Sequence, residues 1–159
     1  MFSQINYEGS VIKQYETLSK QLNALLEGEP DTIANLGNAS ALLNQFLDNI
    51  NWVGFYLMKE GELVLGPFQG LPACVRIAVG RGVCGTAVAE RKTMRVDDVH
   101  AFPGHIACDA ASNSEIVIPL IKNDQVIGVL DIDSPNKSRF SLEDQQGLEL
   151  FVNTLQKFL

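Results

Sequence analysis

The stretch Phe102-Pro103-Gly104-His105-Ile106-Ala107-Cys108-Asp109-Ala110-Ala111-Ser112-Asn113-Ser114-Glu115 brings a thiol, an imidazole and two carboxylates together in fourteen residues. His105 and Cys108 are three apart, a spacing that predicts a shared face on a single helical turn. An imidazolium beside a thiol favours the thiolate, and the thiolate is the reactive form. The stretch has no period of two or 3.6, so it reads as an ordered loop with room for a short helical turn.

Two further groups of residues carry potential chemistry. Asp131 and Asp133 alternate with Ile132 and therefore share one side of a strand. Residues 115–121 and 125–133 are expected to pair antiparallel around Asn123-Asp124, which brings Glu115 to the Asp131–Asp133 end. Three carboxylates at one sheet edge cannot all ionise cheaply, so at least one pKa should rise. A Ca²⁺ or Mg²⁺ site is the alternative reading of such a cluster. Gly80-Arg81-Gly82-Val83-Cys84-Gly85 reads as a glycine turn entering a short helix. There the helix dipole would lower the Cys84 pKa, and the backbone N–H groups of Gly82, Val83, Cys84 and Gly85 would hold a carboxylate. The turn lacks the pattern of a nucleotide phosphate loop. Two histidines and no C-x-x-C pair argue against zinc, so neither a metal nor a cofactor is expected. Trp52 and Tyr56 are four apart on one strand face, as a pocket wall or as core.

The elements that must position these groups follow from periodicity. Val11, Tyr15, Leu18, Leu22 and Leu25 predict an amphipathic helix from about residue 10 to Leu26, ended by Gly28. Asp31 is a candidate N-cap for a second helix that ends near Asp48-Asn49. Strands are expected at Trp52–Met58, Leu63–Phe68, Cys74–Val79, Met94–Val96, Ile116–Ile121 and Gln125–Ile132, with Pro67 marking an edge or a bulge. Ser141 to Asp144 resembles a capping box, and the helix it starts carries Leu142, Leu148, Phe151, Leu155 and Phe158. Strands joined mostly by hairpins imply an antiparallel sheet. Terminal helices would cover one face of that sheet, leaving loops to roof a pocket on the other. The leucine-rich first helix suits a homodimer contact as well as intramolecular cover.

With 159 residues and 17.4 kDa, one domain over residues 1–159 is expected. Apolar content of 46% with mean hydropathy +0.07 indicates a compact fold. A net charge of −7 with no basic cluster argues against nucleic acid and anionic membrane as partners. No apolar run approaches the roughly 18–20 residues needed to span a bilayer. Met1-Phe2-Ser3-Gln4-Ile5-Asn6 lacks the basic and apolar regions of a signal peptide, which places the chain in the cytoplasm. Three cysteines in a reducing compartment are expected to be buried, metal-bound or redox-active.

The motifs Asn51-Trp52-Val53-Gly54-Phe55-Tyr56, Gly66-Pro67-Phe68-Gln69-Gly70, Gly82-Val83-Cys84-Gly85, Phe102 to Asp109, Ser114-Glu115-Ile116-Val117 and Gly128 to Ser134 occur in order along the chain. Together they resemble the free methionine-(R)-sulfoxide reductase family, an enzyme built on a GAF domain. The likeness covers about residues 10–159. It implies an α+β, GAF-like fold with a six-stranded antiparallel sheet, and reduction of free methionine-(R)-sulfoxide with electrons from thioredoxin. It also implies Cys108 as nucleophile and Cys74 as resolving thiol. Local physics alone would nominate Cys84 for the second role. Reduction of a sulfoxide by thiols needs a thiolate, an acid for the departing oxygen and a second thiol to discharge the sulfenic acid. Glu115, Asp131 and Asp133 supply acids. Trp52 and Tyr56 suit the S-methyl group, because sulfur–aromatic contact is favourable. A GAF-type sensor that binds a small molecule, or senses redox state, without turnover is the competing reading.

Overall fold

The computed structural model describes residues 2–106 and 108–159; Met1 and Ala107 lie outside the described residues. Four α-helices and six strands follow in the order α1 (Val11–Leu26), α2 (Thr32–Phe46), β1 (Trp52–Lys59), β2 (Glu62–Gly70), β3 (Arg76–Ala78), α3 (Gly82–Glu90), β4 (Met94–Val96), β5 (Ser114–Lys122), β6 (Gln125–Ser134) and α4 (Leu142–Gln156). The strands form one sheet in the order β3-β2-β1-β6-β5-β4. All five neighbouring pairs are antiparallel. This is the α+β GAF-like architecture that the sequence motifs implied.

Period-two alternation divides the strand residues between two cores. Val53, Phe55, Ile116, Ile118, Leu120, Leu130 and Ile132 face α1, α2 and α4. Trp52, Tyr56, Val117 and Val129 face the other way, against α3. Caps start the helices where expected. Asp31 accepts from Ala34 N at 2.8 Å, and Ser141 with Asp144 completes a capping box. Tyr15 Oη donates to Asp144 Oδ1 at 2.7 Å, tying α1 to α4. A Cβ on Gly147 would collide with the Tyr15 ring, so glycine lets the two helices approach this closely. Leu18, Leu22 and Leu26 are fully buried inside the chain, so the leucine stripe of α1 serves intramolecular cover. Leu142 is exposed instead of joining the α4 stripe, because it is the first helical residue after the cap and faces outward.

Several strand boundaries differ from the expectation, with β5 starting two residues early at Ser114 and β6 running on to Ser134. β2 runs on to Gly70, and its pairing with β1 shifts register between Gly54 and Tyr56. The extra residue falls at Gly66-Pro67, the bulge that Pro67 signalled. β3 covers only Arg76–Ala78, not Cys74–Val79. Val75 still accepts from Leu65 N at 2.9 Å. Upstream of it the chain leaves the sheet, and Pro72 has no N–H to continue a ladder. No described helix is long and apolar enough to cross a membrane.

Candidate active site

β1 and the segment after β2 meet at the pocket through two hydrogen bonds. Trp52 Nε1 donates to the Leu71 carbonyl at 3.1 Å, and Tyr56 Oη donates to the Cys74 carbonyl at 2.9 Å. Trp52 stacks on Tyr56 and on Phe68, with ring centroids 5.9 and 5.1 Å apart. The two aromatics therefore share one strand face, as their spacing required, and also anchor the chain that carries Cys74. Burial and then the nearby Asp131 raise the Tyr56 pKa, so its hydroxyl remains a donor. Cys74 is disulfide-bonded to Cys108, 34 residues away, with Cα atoms 5.6 Å apart. That separation lies within the ordinary range for the bond.

The loop bearing Cys108 is held from the other side. A short 3₁₀ turn, Val99–Ala101, is capped by Asp98, which accepts from His100 N at 3.0 Å. The backbone at His105 and Ile106 is not helical, and the helical turn expected from His105 to Cys108 passes through Ala107, outside the described residues. Gly104 takes φ +74° after Pro103, and the backbone bonds that follow are short-range turns. His105 packs against His100, with ring centroids 6.2 Å apart. Burial and the His100 charge lower its pKa, so it does not supply the imidazolium expected beside the thiol. Asn51 is the tether that sequence reasoning missed. Its side-chain amide donates to Asp109 Oδ2 at 2.9 Å and to Ser112 Oγ at 3.1 Å. The available signal was its place at the start of the Asn51-Trp52 motif.

The three carboxylates converge as the hairpin required. Glu115 stands opposite Asp133, and Val117 opposite Asp131. Glu115 and Asp131 are buried, whereas Asp133 keeps partial exposure. Burial, followed by the charges of Asp131 and Asp133, pushes the Glu115 pKa well up. Asp131 rises to about 6, chiefly through burial, with hydrogen bonds from Glu115 and Cys84 opposing the rise. Burial, with Asp131 and Asp109 beside it, raises Asp133 as well. Cys84 Sγ approaches Glu115 Oε1 at 3.9 Å. Burial and the carboxylates push its thiol well up, reversing the activation expected from the helix start. Asp131 Oδ1 is buried without a hydrogen-bond partner among the described residues. A proton shared with Glu115 supplies the donor that a fully ionised pair would lack.

Ligand atoms of Cys84, Glu115 and Asp131 lie within 4.8 Å of one another. Any cation held there would have to displace the protons that burial keeps on Cys84 and Glu115. The start of α3 offers other polar groups. Its N-cap, Arg81, makes no side-chain capping bond. The N–H groups of Gly82, Val83 and Cys84 are the unpaired donors of a helix start. Gly85 differs from the expectation: its N–H donates to the Arg81 carbonyl at 2.9 Å. Its lack of a side chain serves packing, since a Cβ would lie 3.1 Å from Gly80 N and closer still to the Ala78 carbonyl. The exposed Arg81 also lines the cavity, a basic group that the sequence reading did not include.

These groups enclose a cavity of about 50 Å³. Its lining includes Trp52, Tyr56, Cys108, Glu115, Asp131 and Asp133, but not Cys74. Cys108 thus borders the same cavity as the acids, while Cys74 lies outside its lining.

Comparisons with known proteins agree with this geometry. The model of a family described as GAF domain matches residues 38–159. A free methionine-R-sulfoxide reductase of Escherichia coli is 60% identical over 145 residues, spanning 91% of this chain and 88% of the relative. The Saccharomyces cerevisiae protein of the same name is 40% identical over 163 residues, spanning 96% and 91%. Among solved structures, the Staphylococcus aureus fRMsr in its reduced form matches with a TM-score of 0.89 at 59% identity, over 91% of this chain and 94% of that one. The Neisseria meningitidis free methionine-R-sulfoxide reductase in complex with its substrate matches with a TM-score of 0.94 at 41% identity, over 99% and 95%.

Proposed function

The chain belongs to the GAF-domain free methionine-R-sulfoxide reductase family, and from that premise we propose that it reduces free methionine-(R)-sulfoxide to methionine by thiol chemistry at Cys108. One observation carries the reading: Cys108 lines the same cavity as Glu115, Asp131 and Asp133 and is bonded to Cys74, outside that lining.

The steps follow from what these groups can do. The Cys108 thiolate attacks the sulfoxide sulfur, and a proton from the carboxyl cluster goes to the oxygen. Methionine leaves, and the oxygen remains on Cys108 as a sulfenic acid. The Cys74 thiol then attacks the Cys108 sulfur. Water departs and the disulfide forms. An external dithiol, thioredoxin, returns both sulfurs to thiols and is itself oxidised. Pre-placed acids suit this reaction because a sulfoxide oxygen leaves poorly unless protonated. An ionised member of the trio holds the substrate ammonium group. The N–H groups opening α3, with Arg81, take its carboxylate. Trp52 and Tyr56 contact the S-methyl group. A pocket that reads both the ammonium and the carboxylate selects the free amino acid over a residue in a peptide. The reaction fits a reducing compartment such as the cytoplasm.

The test is direct. Reduced protein incubated with free methionine-(R)-sulfoxide and dithiothreitol should release methionine, and the (S) epimer should not react. Saturable binding of the sulfoxide without methionine formation would instead establish a sensor.

A further inference from the structure

We infer that the apolar collar around Cys74 is the docking surface for the protein dithiol that reopens the disulfide, and that this reductant attacks Cys74. The inference rests on the reductase reading and names the surface through which its partner acts.

Leu71 and Val75 flank Cys74 with 65% and 59% of their surfaces exposed, against the ordinary burial of such side chains. Pro72 between them is exposed as well, and Leu71 and Pro72 also form part of the cavity rim, so that Val75 carries the patch outward from it. An apolar patch of this kind marks an interaction site more often than solvent-facing surface. Charge points the same way. The chain has 19 Asp and Glu residues, yet none occurs between Glu62 and Glu90. Of the two exposed arginines in that stretch, Arg76 is paired with Glu62, and Arg81 stands at the cavity rim. In a chain of net charge −7, the segment around Cys74 therefore suits a partner with an apolar face and one acidic group to meet Arg81.

The disulfide supplies the reason for a partner here. Cys84, the remaining thiol, is buried with its pKa pushed up, so it cannot open the bond. Electrons must come from outside the chain. Cys108 lines the cavity, whereas Cys74 is partly exposed outside its lining, which offers an incoming protein thiolate the Cys74 side of the bond. It bonds to the Cys74 sulfur, the Cys74–Cys108 bond breaks, and Cys108 leaves as a thiolate into the cavity. The partner's second thiol then attacks its own bridged sulfur and releases Cys74. Two electrons pass to this chain, and the partner ends as a disulfide. The attack also delivers Cys108 in the form its reaction needs. The main chain of the collar is held by Trp52 and Tyr56, which keeps the surface formed before the partner arrives.

The experiment follows opening of the oxidised protein by quenched thiol labelling, which needs no turnover of sulfoxide. Val75 is the position to change, because its exposed side chain is absent from the cavity lining. V75D should slow reduction by thioredoxin about tenfold, as loss of one interface anchor does. V75K, which keeps the charge sign of the surface, should slow it less. Reduction by dithiothreitol should stay within about twofold of the parent rate in both variants. A thioredoxin lacking its second cysteine should be trapped in a mixed disulfide at Cys74. Unchanged thioredoxin kinetics in V75D, equal slowing with dithiothreitol, or trapping at Cys108 would each overturn the inference. Failure of sulfoxide turnover with dithiothreitol would count against the reductase reading alone.

Discussion

Tyr56 Oη and the Cys74 carbonyl oxygen are 2.9 Å apart, a hydrogen bond that couples the pocket wall to the chain bearing one half of the disulfide. Under the proposed reaction Tyr56 has two duties, one toward the substrate and one toward the backbone. Tyr56→Phe keeps the ring and removes only the second. It should cost about 1 kcal/mol of stability, the net value of one such bond. The rate of disulfide formation after one turnover should fall more than the yield of methionine in that turnover. Stopped-turnover thiol counting separates the two. Equal loss in both would assign the hydroxyl to the reaction itself.

The three cysteines should separate cleanly on substitution. Cys108→Ser removes the proposed nucleophile and should abolish methionine formation with either reductant. Cys74→Ser should lose thioredoxin-dependent turnover while keeping much of the dithiothreitol-dependent rate, because a small dithiol can reduce a sulfenic acid directly. Cys84→Ser should leave turnover largely intact, since that thiol is buried and held protonated. A dead Cys84→Ser beside an active Cys108→Ser would reverse the assignment.

The carboxyl cluster predicts a specific pH dependence of stability. Asp131 titrates near 3.8 as a free side chain and near 6 in the fold. The folded state retains a proton that the unfolded chain has already lost between those values. Stability from this group is therefore complete below 3.8 and falls as the pH rises through about 6. Glu115 and Asp133, also raised, extend the fall in the same direction. Asp131→Asn removes the buried charge and should stabilise the protein near neutral pH by on the order of 1–3 kcal/mol. Its stability profile should be flatter than that of the parent. Denaturant midpoints across about pH 4 to 8 give the comparison. Activity should move oppositely, because the same carboxyl belongs to the proposed proton source.

Asn51 should matter to rate more than to binding. Asn51→Ala frees Asp109 and Ser112 from β1 and loosens the loop that aims Cys108. A misplacement near 1 Å can cost about a hundredfold in rate, so kcat should fall about ten- to a hundredfold with little change in KM. A change confined to KM would assign Asn51 to substrate contact.

Much of this molecule was legible along the chain because period-two alternation is a local property. Asp131 and Asp133 had to share a face, and a tight turn at Asn123-Asp124 had to bring Glu115 beside them. Trp52 and Tyr56 followed from the same rule, and the caps at Asp31 and Ser141 were set by side chains within one helical turn. The Cys74 pairing came from the likeness of motifs, since local chemistry favoured Cys84. Only the tertiary structure decided the rest. Cys84 lost the advantage of its helix start because the fold buried it beneath two acids, and desolvation outweighs a dipole. His105 turned toward His100 because the backbone at Gly104 left the helical path. Arg81 and Asn51 entered the site from separate elements, with no spacing to announce them. Sequence period fixes which face a side chain takes, whereas burial and charge depend on neighbours that only folding supplies.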